Sequence, residues 1–258
     1  MRPGLLPGLL AAVTRNRNRG AGDVALFELG QAYRGPKPDD QYVGAAGVRA
    51  GTAKISGSGR HWDGTSGDAN VFDVKADVFA ALTALGFDPA KAQITRDAPS
   101  WYHPGRSGTL RLGPKVVLAH FGEVHPRVLK AMDVKGPVAA FEVHLDRLPA
   151  PRSKASKARP LLKPSPFQPI ERDFAFVVDA AMPAEKLLRA AQGADKALIA
   201  SAQIFDAYAG PGIPEGKKSI ALSVTIQPTE KTLTDQEIEA VAQKIVAALK
   251  TKLPFGPG

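Results

Sequence analysis

Apolar residues recur in two rhythms along this chain, and each rhythm predicts a kind of element. Leu5, Leu6, Leu9, Leu10 and Val13 keep helical spacing, which predicts a helix from Leu5 to Asn16. Arg15, Arg17 and Arg19 follow, and Gly20 ends the run, as suits a cationic helix C-terminus with a glycine stop. Val24 to Gly30 is dense in apolar residues and predicts a short buried strand; Gly44 to Ala50 predicts another. From Thr52 to Asn70 the chain is polar and rich in glycine, Gly57-Ser58-Gly59 included, and reads as a flexible loop. Phe72 to Leu85 returns to helical spacing, with Val74, Val78, Phe79, Leu82 and Leu85 on one stripe and Gly86 behind it. Strands are expected at Gly108 to Leu112, Val116 to Phe121 and Val138 to Val143, with one more ahead of Trp101 and a short helix from Val124 to Met132. Together these predict an α+β arrangement, an antiparallel sheet carrying a few helices.

The rhythm then breaks. Pro149, Pro151, Pro160, Pro164, Pro166 and Pro169 punctuate a stretch that also holds Arg152, Lys154, Lys157, Arg159 and Lys163. Proline removes backbone donors and favours extended geometry, so residues 149–165 read as a basic, semi-rigid linker between a domain at 1–148 and one at 166–258. Beyond it, Phe174 to Val178 predicts a strand, Ala184 to Gln192 an amphipathic helix closed by Gly193, and Leu198 to Tyr208 a second strand. Ser219 to Gln227 alternates as a third strand. Thr234-Asp235-Gln236-Glu237 is a capping-box pattern that opens a helix to Leu249, buried through Ile238, Val241, Ile245 and Leu249. The order β-α-β-β-α is that of a ferredoxin-like motif lacking its last strand. Leu253 to Gly258 contains two prolines and suits no ordinary central strand.

Composition narrows the classes. At 258 residues and 44% hydrophobic content the chain is long enough for two globular domains. No apolar run reaches the roughly 18 residues of a membrane span. Cysteine is absent, which excludes disulfides, thiolate zinc sites and cysteine nucleophiles and suits a reducing cytoplasm. Lys and Arg total 34 against 25 Asp and Glu, a net charge of +9 that favours polyanionic partners.

A ferredoxin-like sheet has one face under its helices and one free. Alternation sets Asp206 and Tyr208 together on one face and Phe205 with Ala207 on the other. A ring beside a carboxylate on an open sheet suits stacking of an unpaired base and acceptance of hydrogen bonds from its edge; a strand-end Tyr packed over the turn at Gly210-Pro211-Gly212 is the structural counterpart. Ser219 starts the neighbouring strand. Lys217 and Lys218 suit phosphate better than bases, and Arg172 either contacts RNA or pairs with Asp173. His103, His120 and His125 match no zinc spacing or H-E-x-x-H arrangement; no phosphate loop and no Ser/His/Asp arrangement is legible, so neither a metal site nor a catalytic residue is expected.

Several stretches carry a resemblance. Met1-Arg2-Pro3-Gly4-Leu5-Leu6-Pro7-Gly8-Leu9-Leu10, Asn18-Arg19-Gly20, Leu26-Phe27-Glu28-Leu29-Gly30, Tyr102-His103-Pro104-Gly105-Arg106 and Phe121-Gly122-Glu123-Val124-His125-Pro126 resemble the catalytic-like module of the phenylalanyl-tRNA synthetase beta subunit family. Pro166-Phe167-Gln168-Pro169, Arg172-Asp173, Phe205-Asp206-Ala207-Tyr208 and Gly216-Lys217-Lys218-Ser219 resemble its anticodon-binding domain. The resemblance implies a class II synthetase-like antiparallel module without catalytic residues, followed by a ferredoxin-like (βαββαβ) domain. It further implies tRNA(Phe) as ligand, with Asp206, Tyr208, Ser219, Lys217, Lys218 and Arg172 at the anticodon, whose first base is guanine. A catalytic alpha subunit in an α2β2 tetramer would be the protein partner. The complete synthetase would use ATP and Mg2+, with no cofactor in this chain. The chain is expected to start inside the catalytic-like module of a longer subunit. A free-standing RNA-binding module without a synthetase partner, and an enzyme with its active site in the first module, are the rival expectations.

Overall fold

A computed structural model describes residues 1–53, 60–61, 64–150, 161 and 164–252. The linker cations Arg152, Lys154, Lys157, Arg159 and Lys163, the Gly57-Ser58-Gly59 segment and the final Leu253 to Gly258 lie outside the described residues. The chain divides into two compact units, Met1–Ala155 and Ser156–Gly258.

In the first unit, helix α1 (Leu6–Arg17) precedes strands β1 (Val24–Tyr33) and β2 (Gln41–Ala50), the short pair β3 (Arg60–His61) and β4 (Gly64–Thr65), and helix α2 (Val71–Ala84). Strands β5 (Gln93–Thr95), β6 (Tyr102–Leu112) and β7 (Val116–Val124) follow, then helix α3 (Pro126–Ala131) and strand β8 (Val138–His144). Six of these strands form one antiparallel sheet in the order β1-β2-β8-β7-β6-β5. The stripes expected from the sequence are what the two faces bury. Leu5, Leu6, Leu9, Leu10 and Val13 of the α1 region pack on Val24, Ala46, Val48, Ala50, Val138 and Ala140. On the opposite face Val74, Val78 and Leu82 of α2 pack on Leu110, Leu118, Phe121, Ala139 and Val143. Asn70 caps α2 with its side chain, accepting from the Phe72 N–H at 2.9 Å. Gly47 lies opposite Phe141 in the register, and a Cβ there would run into the Phe141 ring, so only glycine fits.

Three local expectations are corrected. β1 is not a short buried strand but a ten-residue edge strand, with Phe27 82% and Leu29 63% exposed; apolar density does not distinguish an edge from a centre. His103-Pro104-Gly105, which precedes the strand expected from Gly108, falls within β6, where the pairing jumps from Tyr102↔Val124 to Ser107↔Gly122. Five steps on one strand against two on the other make a bulge, which lets the proline sit in a sheet. Leu85, expected on the buried stripe of α2, is 46% exposed beyond the helix end.

The second unit runs β9 (Ile170–Asp179), α4 (Ala184–Gln192), β10 (Ile199–Tyr208), β11 (Lys217–Ile226) and α5 (Asp235–Lys252). Its strands form an antiparallel sheet in the order β10-β11-β9, so the strand third in sequence is central, as the ferredoxin-like order requires. Ile220, Leu222, Val224 and Ile226 of β11 are buried beneath Leu187, Ala190 and Ala191 of α4 and Ile238, Val241, Ile245 and Leu249 of α5. The alternate residues of β11, Ser219, Ala221, Ser223 and Thr225, therefore face the other way. Among the described residues no helix is long and apolar enough to cross a membrane.

Candidate nucleic-acid interface

Strand register decides which side chains share the open face of the second unit. Directly opposed residues of an antiparallel pair point to the same side. Ser219 opposes Tyr208 on β10 and Val177 on β9, and Ala221 opposes Asp206 and Ala175. Tyr208, Asp206 and Ser219 thus lie on the face away from α4 and α5, as alternation suggested. Tyr208 is 45% exposed, and its hydroxyl donates to the Pro211 carbonyl at 3.2 Å. The ring is thereby held over the turn, packed so closely on Gly210 that a Cβ there would lie 2.6 Å from the hydroxyl oxygen. Asp206 is exposed, and its carboxylate makes no hydrogen bond or ion pair with a described residue.

The alternation fails one residue earlier. Phe205 was expected to be buried against the helices and is instead 60% exposed. Ile204 pairs with Leu222 and Asp206 with the very next residue, Ala221, so Phe205 is the extra residue of a β-bulge. The bulge frees its ring from the core side, and it lines an open concavity with Glu171, Arg172, Asp173 and Ser223. No pattern within β10 announces this, because a bulge is a mismatch between two strands.

The cations take separate places. Lys217 pairs with Asp179 at 3.0 Å on the open side. Lys218 turns to the helix side, where its ammonium donates to the Met182 carbonyl at 2.8 Å. Arg172 opposes Val224 on the helix-covered side, on β9, the outer strand of the sheet among the described residues, and lines both the concavity beneath Phe205 and a groove beside α5. Among the described residues no ion pair joins it to Asp173, whose side chain belongs to the opposite face. The sheet thus gathers Asp206, Tyr208, Ser219 and Lys217, and leaves Lys218 and Arg172 outside that group.

In the first unit His103, His120 and His125 have structural partners. The His103 and His125 rings stack at 6.5 Å, and their Nδ1 atoms accept from the backbone N–H groups of Gly105 and Arg127, each at 3.1 Å. His125 is the cap of α3. His120 Nδ1 meets the buried Thr109 hydroxyl at 2.9 Å. Glu142 accepts from Trp101 Nε1 at 2.9 Å and from the Tyr102 hydroxyl at 3.1 Å, and burial pushes its carboxyl above the ordinary range. Among the described residues no group of three or more His, Asp or Glu side chains is placed to hold a metal ion.

Comparison with known proteins adds the following. Residues 1–145 match the family model described as the phenylalanyl tRNA synthetase beta chain CLM domain, and residues 165–255 that of the ferredoxin-fold anticodon binding domain. The phenylalanine–tRNA ligase beta subunit of Bradyrhizobium diazoefficiens is 55% identical over 252 residues, 98% of this chain and 31% of that protein. That of Rhodopseudomonas palustris is 53% identical over 253 residues, again 98% of this chain and 31% of that protein. The chain therefore spans about 31% of the length of these curated relatives. A solved pyrrolysyl-tRNA synthetase from Desulfitobacterium hafniense aligns with 57% of this chain and 48% of its own, at a TM-score of 0.41 and 16% identity.

Proposed function

The chain belongs to the phenylalanyl-tRNA synthetase beta chain family, and on that premise we propose that its second unit binds the anticodon stem-loop of tRNA(Phe) while its first unit supports assembly with a catalytic alpha subunit. The observation that carries this reading is the group of Tyr208, Asp206 and Ser219 on the open face of a unit that matches an anticodon binding domain. Tyr208, braced by its bond to Pro211, offers a pre-set ring on which an unpaired base stacks. Asp206, with its acceptor oxygens unused, takes hydrogen bonds from the edge of guanine, and Ser219 sits beside the same base. Arg172 serves a flanking phosphate, while Lys217 stays engaged with Asp179 beside the group.

In the first unit, Phe27 and Leu29 on the exposed edge strand supply the apolar surface on which another subunit packs. The complete protein is a cytoplasmic α2β2 ligase that joins phenylalanine to tRNA with ATP and Mg2+, the chemistry being done on the alpha subunit. Residues 149–165 tether the two units of this chain.

The test is binding of the tRNA(Phe) anticodon stem-loop, in its native form and with the first anticodon base replaced. Tyr208→Ala is expected to cost ~1–3 kcal/mol of binding. Asp206→Ala is expected to narrow the difference between the two RNAs, by up to ~1–3 kcal/mol for a bidentate contact. Circular dichroism controls for folding. Equal weakening of both RNAs, or a melted domain, makes Asp206 a turn residue and removes its reading role.

A further inference from the structure

We propose that Phe205, released from the core by its bulge, is the floor of a second base-binding subsite on the same open face. This inference rests on the anticodon-binding reading of the sheet. A phenylalanine ring 60% exposed on a strand gains free energy when something apolar and flat covers it. The groups around it state the chemistry of that cover. Phe205, Glu171, Arg172, Asp173 and Ser223 line one concavity of about 440 Å³. Asp173 opposes Ser223 directly across β9 and β11, and Glu171 lies two residues along on the same side. The Glu171, Asp173 and Ser223 side chains make no hydrogen bond or ion pair with a described residue, so their acceptors are unspent. An aliphatic protein segment would leave these carboxylates unsatisfied, and a phosphate would be repelled by them. A nucleobase with an exocyclic amino group satisfies both requirements: its face covers the ring, and its amino hydrogens meet the carboxylates. Arg172, at the free edge of the concavity, is placed for the neighbouring phosphate.

Position supports a single path for the RNA. The Tyr208 row passes through Ser219, and Phe205 lies between the rows of Ala221 and Leu222 and leans toward Ser223, so the two rings are three residues apart along β10, or ~10 Å at the usual strand rise. Between them Asp206, Ala221 and Ala175 form the intervening row, whose two alanines keep the floor low. A loop that stacks one base on Tyr208 can therefore lay a second on Phe205 without leaving the sheet. The subsite prefers adenine, guanine or cytosine over uracil, which has no amino group.

The experiment titrates the full chain with a labelled anticodon stem-loop and with versions in which each amino-bearing loop base is replaced in turn by uridine. Phe205→Ala is expected to lose about five- to 150-fold in affinity, the range for one stacked base, whereas Phe205→Tyr keeps most of it. Asp173→Ala is expected to abolish the sensitivity to one particular loop base, different from the one that Asp206→Ala affects. Ser223→Leu, which fills the concavity from the opposite strand, is expected to weaken binding with the circular dichroism spectrum unchanged, and so keeps the test decisive if Phe205→Ala unfolds. If Tyr208→Ala weakens binding while Phe205→Ala and Ser223→Leu bind as wild type, the second subsite is overturned, the anticodon reading survives, and Phe205 is a protein contact. If the wild-type chain binds no stem-loop, both fall together.

Discussion

His120 and His144 meet edge to face on the first unit's sheet, ring centroids 5.6 Å apart, and each has a reason to stay neutral. Burial first, then the charge of His144 and Arg111, holds His120 down to about 4. Burial first, then Arg147 and Arg34, does the same to His144, also about 4, and its Nδ1 is buried with no hydrogen-bond partner among the described residues. In the unfolded chain both titrate near ~6.5. Between about pH 6.5 and about pH 4 the unfolded state therefore binds more protons, and the first unit loses stability as pH falls through that window. A tenfold difference in proton affinity between the two states corresponds to ~1.4 kcal/mol, but both rings are partly exposed, so the pair is expected to lose only ~1–3 kcal/mol. Glu142, opposite His120 in the register and raised by burial, takes up its proton early in the folded state and offsets a part. Both tryptophans, Trp62 and Trp101, belong to this unit, so denaturant unfolding followed by their fluorescence reports it alone. A His120→Gln/His144→Gln variant should flatten the dependence; a wild type equally stable at both ends of the window rules the account out. None of this is legible in sequence, because the pair forms only when β7 and β8 align. Asp206 and Tyr208 were legible because a two-residue period is local, and Phe205 was not, because its bulge is set by β11.

At the level of elements, legibility follows the same division. The Thr234-Glu237 box is a local pattern, and it forms as read: the Thr234 N–H donates to Glu237 Oε2 at 2.9 Å and the Glu237 N–H to Thr234 Oγ1 at 3.4 Å. Thr234→Ala should cost ~1 kcal/mol, within the usual range of about 0.5–2 kcal/mol for removing a cap. Leu249, fully buried on the last turns of α5, should cost ~2–5 kcal/mol on replacement by Ala, since the cavity cannot collapse between two helices and a sheet. Urea unfolding followed by far-ultraviolet circular dichroism checks both, and a Leu249→Ala chain as stable as Thr234→Ala contradicts the packing described for α5. Helix stripes and central strands were readable because burial on one side writes a period into the sequence. The exposure of β1 and the bulged start of β6 were not, since an edge position and a pairing mismatch are properties of the sheet and leave no mark on one strand.

The charge of the whole chain is distributed unevenly, and this separates affinity from reading. Residues 166–258 hold ten Lys and Arg against eleven Asp and Glu, whereas residues 149–165 hold five cations and no acid. The open face itself carries Glu171, Asp173, Asp179 and Asp206, and its Lys217 is already paired with Asp179. Coulomb attraction to the RNA backbone therefore has to come from elsewhere in the chain, and the linker is the densest source. On the proposed reading, the face meets bases through acceptors, and the linker cations are the candidates for neutralising phosphates. Replacing Arg152, Lys154, Lys157, Arg159 and Lys163 by Gln should weaken binding of every tRNA alike. It should also make the log–log salt dependence shallower by up to ~0.9 for each phosphate that is no longer neutralised. Discrimination at the first anticodon base should be untouched, because no linker side chain is asked to meet a base edge. Lys217→Gln should change the slope little, since its ammonium is engaged within the sheet. Titrations at several salt concentrations, with cognate and non-cognate stem-loops, decide the matter. An unchanged slope in the linker variant makes residues 149–165 a tether alone and sends the search for phosphate contacts to the first unit.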